Sequence, residues 1–175
     1  MTAMSGDAAI PVAEEMRGAV VRLQAERGAE LWGLARHLGL APEEADDAVQ
    51  ETLLRLWSAL QRGTAVAQPD AWAFRALYRL CMDRHRWRRR VGALRDRLRS
   101  EPVRTSLELG ERLAVWDAVE TLPERQRAAV YLRFRADLPY EQIGEVLGIA
   151  APSARSHVSR ALDALRLALG EEETR

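Results

Sequence analysis

PYEQIGEVLGIAAPSARSHVSRALDALRLAL, residues 139–169, decides the fold. Its first part, as far as Leu147, reads as a short helix with Ile143, Val146 and Leu147 turned inward. Gly148-Ile149-Ala150 turns the chain, and 151–169 reads as a longer helix packed by Ala154, Val158, Ala161, Leu165 and Ala168. A short helix, a turn with Gly and a longer amphipathic helix form the signature of a helix-turn-helix. Ser153, Arg155, Ser156, His157, Ser159 and Arg160 fall outside the apolar stripe. Ser and Arg near the start of a second helix reach base edges and phosphates in a major groove. The same pattern also describes an ordinary helical hairpin.

Upstream, DAWAFRALYRLCMDRHRWRRR at 70–90 reads as a helix with two faces. Ala73, Leu77, Leu80 and Cys81 recur at the spacing of a buried stripe. Trp72, Arg75, Arg79, Arg86 and Arg90 fall on another stripe. A row of guanidinium groups with an indole at one end suits phosphate contact and stacking on an exposed base. The alternative is a solvated arginine-rich face. Residues 62–71, RGTAVAQPDA, read as a loop, with Asp70 as the N-cap of the arginine-striped helix.

The segment before that loop has the opposite sign. Pro42 stands where a helix start tolerates proline, and Glu43 and Glu44 follow at the positive end of the dipole. The predicted helix runs to about Leu60, with Ala45, Val49, Leu53 or Thr52, Leu56 and Leu60 on one face. Residues 41–60 hold five acids against Arg55, whereas 70–100 hold ten Arg against three acids. The formal net charge of the whole 175-residue chain is zero. A neutral chain with a basic helix beside an acidic one can address two different partners.

Composition bounds the rest. A hydrophobic fraction of 47% and a charged fraction of 30% suit a folded core in one domain or two small ones. Lysine is absent, and with so much alanine the arginine content reflects GC-rich coding as well as function. Cys81 is the only cysteine, which excludes an internal disulfide or a cysteine-based metal site and suggests a small core residue. His37, His85 and His157 are far apart and lack metal-ligand spacing. No Gly-rich phosphate loop or Ser-His-Asp pattern is present, so no catalytic residue, cofactor or metal is expected. The start of the chain lacks a basic and apolar leader, and no apolar run approaches a membrane span. These features predict a cytoplasmic protein without membrane insertion.

The remaining segments are also helical in character. Residues 1–10 read as a frayed tail, and a first helical region spans about 12–38 with a break near Gly28 and an end at Gly39. A charged connector with Pro102 follows Arg90. A further helix is expected over 109–121, with Leu109, Leu113, Trp116 and Val119 in register, and another over 123–135. Trp32, Trp57, Trp116, Tyr131 and Tyr140 read as core or packing residues, whereas Trp87, among arginines, either touches DNA or covers the domain's flank. The expected fold is all-α, with two small helical domains joined by a short linker.

With both halves in view, the chain resembles an extracytoplasmic-function sigma factor of the bacterial sigma-70 family. EEADDAVQETLLRLW at 43–57 resembles the family's region 2, AWAFRALYRLCMDRHRWRRR at 71–90 its promoter-opening helix, and 122–166 its region 4. The resemblance covers about nine-tenths of the chain, in the family's order. It implies a region 2-like domain at 11–90, a linker at 91–107 and a region 4-like domain at 108–170. Core RNA polymerase is the implied partner, through its β′ clamp helices and β flap, with Asp47, Gln50, Glu51 and Arg55 at the interface. The implied −10 contacts are Trp72, Arg75, Arg79, Arg84, Arg86 and Arg88, with a flipped-base pocket shaped by 62–71. The implied −35 contacts are Ser153, Arg155, Ser156, His157 and Arg160. Promoter DNA and an anti-sigma factor complete the implied partners. The implied function is transcription initiation by promoter recognition and melting, without catalysis by the chain itself.

The sequence departs from the family in four places. Arg79 stands where Asn is usual, Pro139 and Ala150 replace the serines expected before the two helices, and Pro152 takes a position usually held by a small flexible residue. Three other readings compete: an operator-binding regulator outside the polymerase, a recombinase using Tyr131 or Tyr140, and a protein-interaction adaptor. The first leaves the acidic helix and Trp72 unexplained.

Overall fold

The computed structural model describes residues 9–95 and 118–172. The elements are α1 (Ala9–His37), α2 (Pro42–Gln61), α3 (Pro69–Arg95), α4 (Glu124–Phe134), α5 (Tyr140–Leu147) and α6 (Ala151–Glu172), with residues 118–121 also helical. Among the described residues there is no strand. The all-α expectation therefore holds. The chain divides into two compact units, Met1–Tyr78 and Arg79–Arg175, with the division inside α3. Residues 91–95 of the expected linker are helical; the rest of it, and Leu109, Leu113 and Trp116, lie outside the described residues.

In the first unit α1 packs along α2. Leu31, Leu34 and Ala35 of α1, with Leu38 just past its end, and Ala45, Ala48, Val49 and Leu56 of α2 form a core closed to water. The helix runs unbroken through Gly28, because the apolar stripe continues on both sides of it and packing outweighs the roughly 1 kcal/mol propensity cost of glycine. On α2 the inward position is Thr52, with Leu53 half-buried. The Thr52 hydroxyl is buried at no polar cost because it donates to the Ala48 carbonyl at 2.8 Å. Ala41 has no side-chain acceptor with which to cap α2; Glu44 Oε2 accepts from the Ala41 backbone N–H at 2.9 Å instead.

The start of α3 corrects two expectations. The helix opens at Pro69, with the Trp72 N–H already donating to the Gln68 carbonyl, so the loop ends at 68. Proline at the first helical position is pre-set for the helix. Asp70 is thus a first-turn residue and not the N-cap. Its carboxylate pairs with Arg27 Nε of α1 at 3.6 Å, and the Arg27 guanidinium lies 5.2 Å from the centroid of the Phe74 ring. Asp70 is spent on joining α3 to α1.

In the second unit α4, α5 and α6 pack pairwise. Val119, Leu122, Val130, Ala161 and Leu165 form one buried cluster. Ile143, Val146 and Leu147 of α5 and Ala154 and Val158 of α6 are buried, as their spacing predicts. Ala168 is exposed: α6 has 22 residues against 11 in α4 and outruns it. Tyr131 is a core residue, but Trp32 and Trp57 are not fully buried. Trp32 is 37% exposed, with the Arg36 guanidinium over its ring.

Candidate nucleic-acid interface

At 100° per residue, α3 sorts its side chains sharply. Ala73, Phe74, Leu77, Leu80 and Cys81 are buried. Arg79, Asp83, Arg86, Trp87 and Arg90 are exposed on the other face, and Trp72 and Arg75 are half-buried on that face's nearer turns. The structure thus aligns Trp72, Arg75, Arg79 and Arg86. Arg84 and Arg88 are half-buried and fall with Leu77 and Cys81. Burial pushes the Cys81 thiol up to about 12, with the Arg84 charge opposing and Glu124 of α4 adding to the rise. Arg84 therefore acts on the inner face of α3. On the outer face Arg86 is ion-paired to Asp83, an exposed pair of small energetic weight. Arg75, Arg79 and Arg90 have no such pair among the described residues. The Trp87 indole is 65% exposed, so it does not cover the flank of its unit.

The helix-turn-helix is built on a close approach. Gly148 leaves α5 in a left-handed conformation at φ 68°, and the Ile149 N–H donates back to the Gly144 carbonyl at 2.9 Å. A Cβ on Gly144 would stand 2.7 Å from the Ile149 carbonyl oxygen, so only glycine fits there without displacement. Gly144 is absent from the residues expected to matter, although an interior glycine in a helical pattern is a signal of such an approach. Pro139 provides no side-chain cap for α5, and Ala150 caps α6 through its carbonyl, which accepts from the Ala154 N–H.

Beyond the turn, Ser153, Arg155, Ser156 and Arg160 are exposed on one side of α6 and His157 is half-buried. The Ser156 hydroxyl donates to the Pro152 carbonyl at 3.0 Å, leaving its lone pairs for a donor outside. His157 Nδ1 is buried with no hydrogen-bond partner among the described residues, so outward contact from this ring runs through its other nitrogen. The Arg155 guanidinium lies 5.0 Å from the centroid of the Tyr140 ring.

On α2, Asp47, Gln50 and Arg55 are exposed and Glu51 is half-buried, with Arg55 Nη2 2.5 Å from Glu51 Oε1. Leu54, not among the residues expected at this face, is 66% exposed among them. Its position off the inward stripe was legible. Beside this face, Trp32, Val49, Asp46 and Gln50 line part of a groove of about 390 Å³ between α1 and α2.

Two family models match the chain: Sigma-70 region 2 over residues 24–91 and Sigma-70, region 4 over residues 112–165. ECF RNA polymerase sigma factor SigL of Mycobacterium tuberculosis is 33% identical over 153 residues, covering 83% of this chain and 86% of that protein. This chain belongs to the ECF sigma factors of the sigma-70 family. ECF sigma factor EcfG of Rhodopseudomonas palustris is 34% identical over 140 residues, with 75% and 76% of the two chains covered. The sigma factor RpoE of Bartonella quintana, solved with the anti-sigma factor NepR, superposes with a TM-score of 0.70 at 27% identity, covering 85% of this chain and 94% of that one. CnrH, solved with the cytosolic domain of CnrY, shares the fold at a TM-score of 0.64 and 24% identity. As an RNA polymerase sigma factor the chain acts in transcription initiation. Among the described residues, no helix is long and apolar enough to cross a membrane, and no group of three or more His, Cys, Asp or Glu could hold a metal ion.

Proposed function

We propose that this sigma factor docks on core RNA polymerase through α2, captures the opened −10 element on α3 and reads the −35 element as duplex through α6. The observation that carries the proposal is the pairing of two outward arginine-bearing faces, on α3 and α6, with an acidic exposed face on α2. Phosphate neutralisation by Arg drives DNA association and makes it salt-dependent. Strand capture needs cations for the backbone and a ring on which a base can stack. Trp72, Arg75, Arg79 and Arg86 supply both, and the exposed Trp87 extends the surface; Arg84 and Arg88, on the inner side of α3, contribute charge more than contact. Ser153, Arg155, Ser156, His157 and Arg160 are the reading set on α6. Asp47, Gln50, Glu51 and Arg55, with Leu54 as an apolar anchor, are the polymerase set, directed at the β′ clamp helices, while the region 4-like unit meets the β flap.

Functionally, the domains are taken as 11–90 and 108–170 around a linker at 91–107. The chain has no chemical step of its own; bond formation belongs to the polymerase, and the site of action is the cytoplasm. An anti-sigma factor that covers the docking and DNA faces would regulate it, by analogy with the complexed RpoE. Mapping transcript start sites after controlled expression tests the reading. New starts that share a two-part upstream sequence are expected; expression that creates no new starts would refute it.

A further inference from the structure

All three helices of the helix-turn-helix unit meet at one half-buried ring. Tyr140, the first residue of α5, has the guanidinium of Arg155 from α6 at 5.0 Å from its centroid and that of Arg133 from α4 at 5.5 Å. Arg133 is anchored: its Nη1 donates to the Leu138 carbonyl at 3.3 Å and lies 3.4 Å from the Asp137 carboxylate. Arg155 differs. It is exposed, and among the described residues it makes no hydrogen bond or ion pair, so the ring is what holds its head group.

We propose that Tyr140 is a positioning residue for DNA reading, presenting the Arg155 guanidinium to the −35 duplex; this rests on the reading of α6 given above. Stacking on a ring uses the flat face of a guanidinium and leaves its N–H fork free in the plane. That fork is what grips guanine O6 and N7, or a phosphate, in bidentate fashion. An arginine loose on a helix surface must give up rotamer freedom at the moment of binding, whereas a stacked one has given up part of it beforehand. Two like charges over one ring also repel each other, so the site gains from an acceptor or anion placed against it. Arg133, tied to the 137–138 backbone and carboxylate, steadies the ring from the other helix.

The test uses holoenzyme reconstituted from the full chain and core RNA polymerase, selecting from a duplex pool randomised across the upstream promoter element. Tyr140→Leu should lose preference at the same base pairs as Arg155→Ala, by about two- to five-fold in relative enrichment. Tyr140→Phe, which keeps the ring, should retain it, and the Tyr140→Leu/Arg155→Ala double variant should be no worse than Arg155→Ala alone. A wild-type profile for Tyr140→Leu, or losses that add to those of Arg155→Ala, overturns the proposal and leaves the −35 reading standing. A wild-type holoenzyme that enriches no sequence overturns the −35 reading, and the proposal with it. A measurement on the unmodified protein does not depend on how the variants fold. The Arg155 side-chain protons should show an upfield ring-current shift by NMR, and random-coil positions would refute the stacking.

Discussion

Gly144 and Ile149 approach so closely that a methyl group on the glycine would stand 2.7 Å from the isoleucine carbonyl oxygen. The Ala151 backbone nitrogen lies within 3.2 Å of the same point. Both obstacles are backbone, so the turn between α5 and α6 must open to admit a side chain. Gly144→Ala is therefore expected to destabilise the second unit by about 1–3 kcal/mol in urea unfolding. Gly28→Ala provides the contrast. Its added Cβ meets only the flexible end of Gln24, and α1 gains helix propensity, so stability should hold or rise by up to about 1 kcal/mol. Equal losses at the two sites would contradict this account of the turn.

Cys81 yields a pH prediction. Its thiol is pushed from 9.0 up to about 12, mainly by burial, so the folded chain keeps a proton that the unfolded chain releases above about pH 9. The stabilisation is fully present below pH 9 and is lost as the pH rises toward 12. Between pH 8 and pH 11, the unfolding free energy of the wild type should fall more steeply than that of Cys81→Ala. Identical slopes would show that the thiol is not held in a dry site.

Local signals made much of this fold legible. Pro42 with its two following acids set the start of α2, and Gly148 set the turn before α6. The errors arose where a distant residue decided the outcome. Asp70 looks like an N-cap until Arg27 of α1 claims its carboxylate. Trp32 is a different case: its ring stands at the surface, with Arg36, one turn on in the same helix, over it. Spacing alone does not separate Thr52 from Leu53 on the inward face of α2; the Thr52 hydroxyl's bond to the Ala48 carbonyl is what lets the less hydrophobic residue take the buried position. Helical steps alone place Arg84 and Arg88 on the inner side of α3, off the arginine stripe; the resemblance to the family's promoter-opening helix is what puts them among the −10 contacts. The contact of the Arg155 guanidinium with the Tyr140 ring joins two helices through side chains, and no spacing rule reveals it.

The two sides of α3 separate by salt. Arg79→Ala and Arg86→Ala should each reduce the salt slope of promoter binding by about one, as expected for lost phosphate contacts. Arg84→Ala, on the Cys81 side, should change the slope less. Trp87→Ala should weaken binding to an unpaired −10 strand by about 1–3 kcal/mol. Unchanged slopes for Arg79→Ala and Arg86→Ala would remove those residues from the phosphates.

On α2 the exposed Leu54 separates docking from folding. Leu54→Asp should leave thermal stability within about 0.5 kcal/mol of wild type, because its side chain packs little in the free chain. Affinity for core RNA polymerase, measured by fluorescence anisotropy, should drop at least about tenfold if the residue anchors the interface. Asp47→Ala should weaken the same affinity, more at low salt than at high salt. Wild-type affinity in both variants would place the docking face elsewhere.

Promoter-directed transcription by the purified chain and core RNA polymerase tests the central claim most directly. The template carries a start site mapped after controlled expression. The account predicts transcripts from that start only when both proteins are present, with loss on Arg155→Ala and on Leu54→Asp. Tight binding of the chain alone to the upstream DNA, with no stimulation of initiation by the core enzyme, would contradict it.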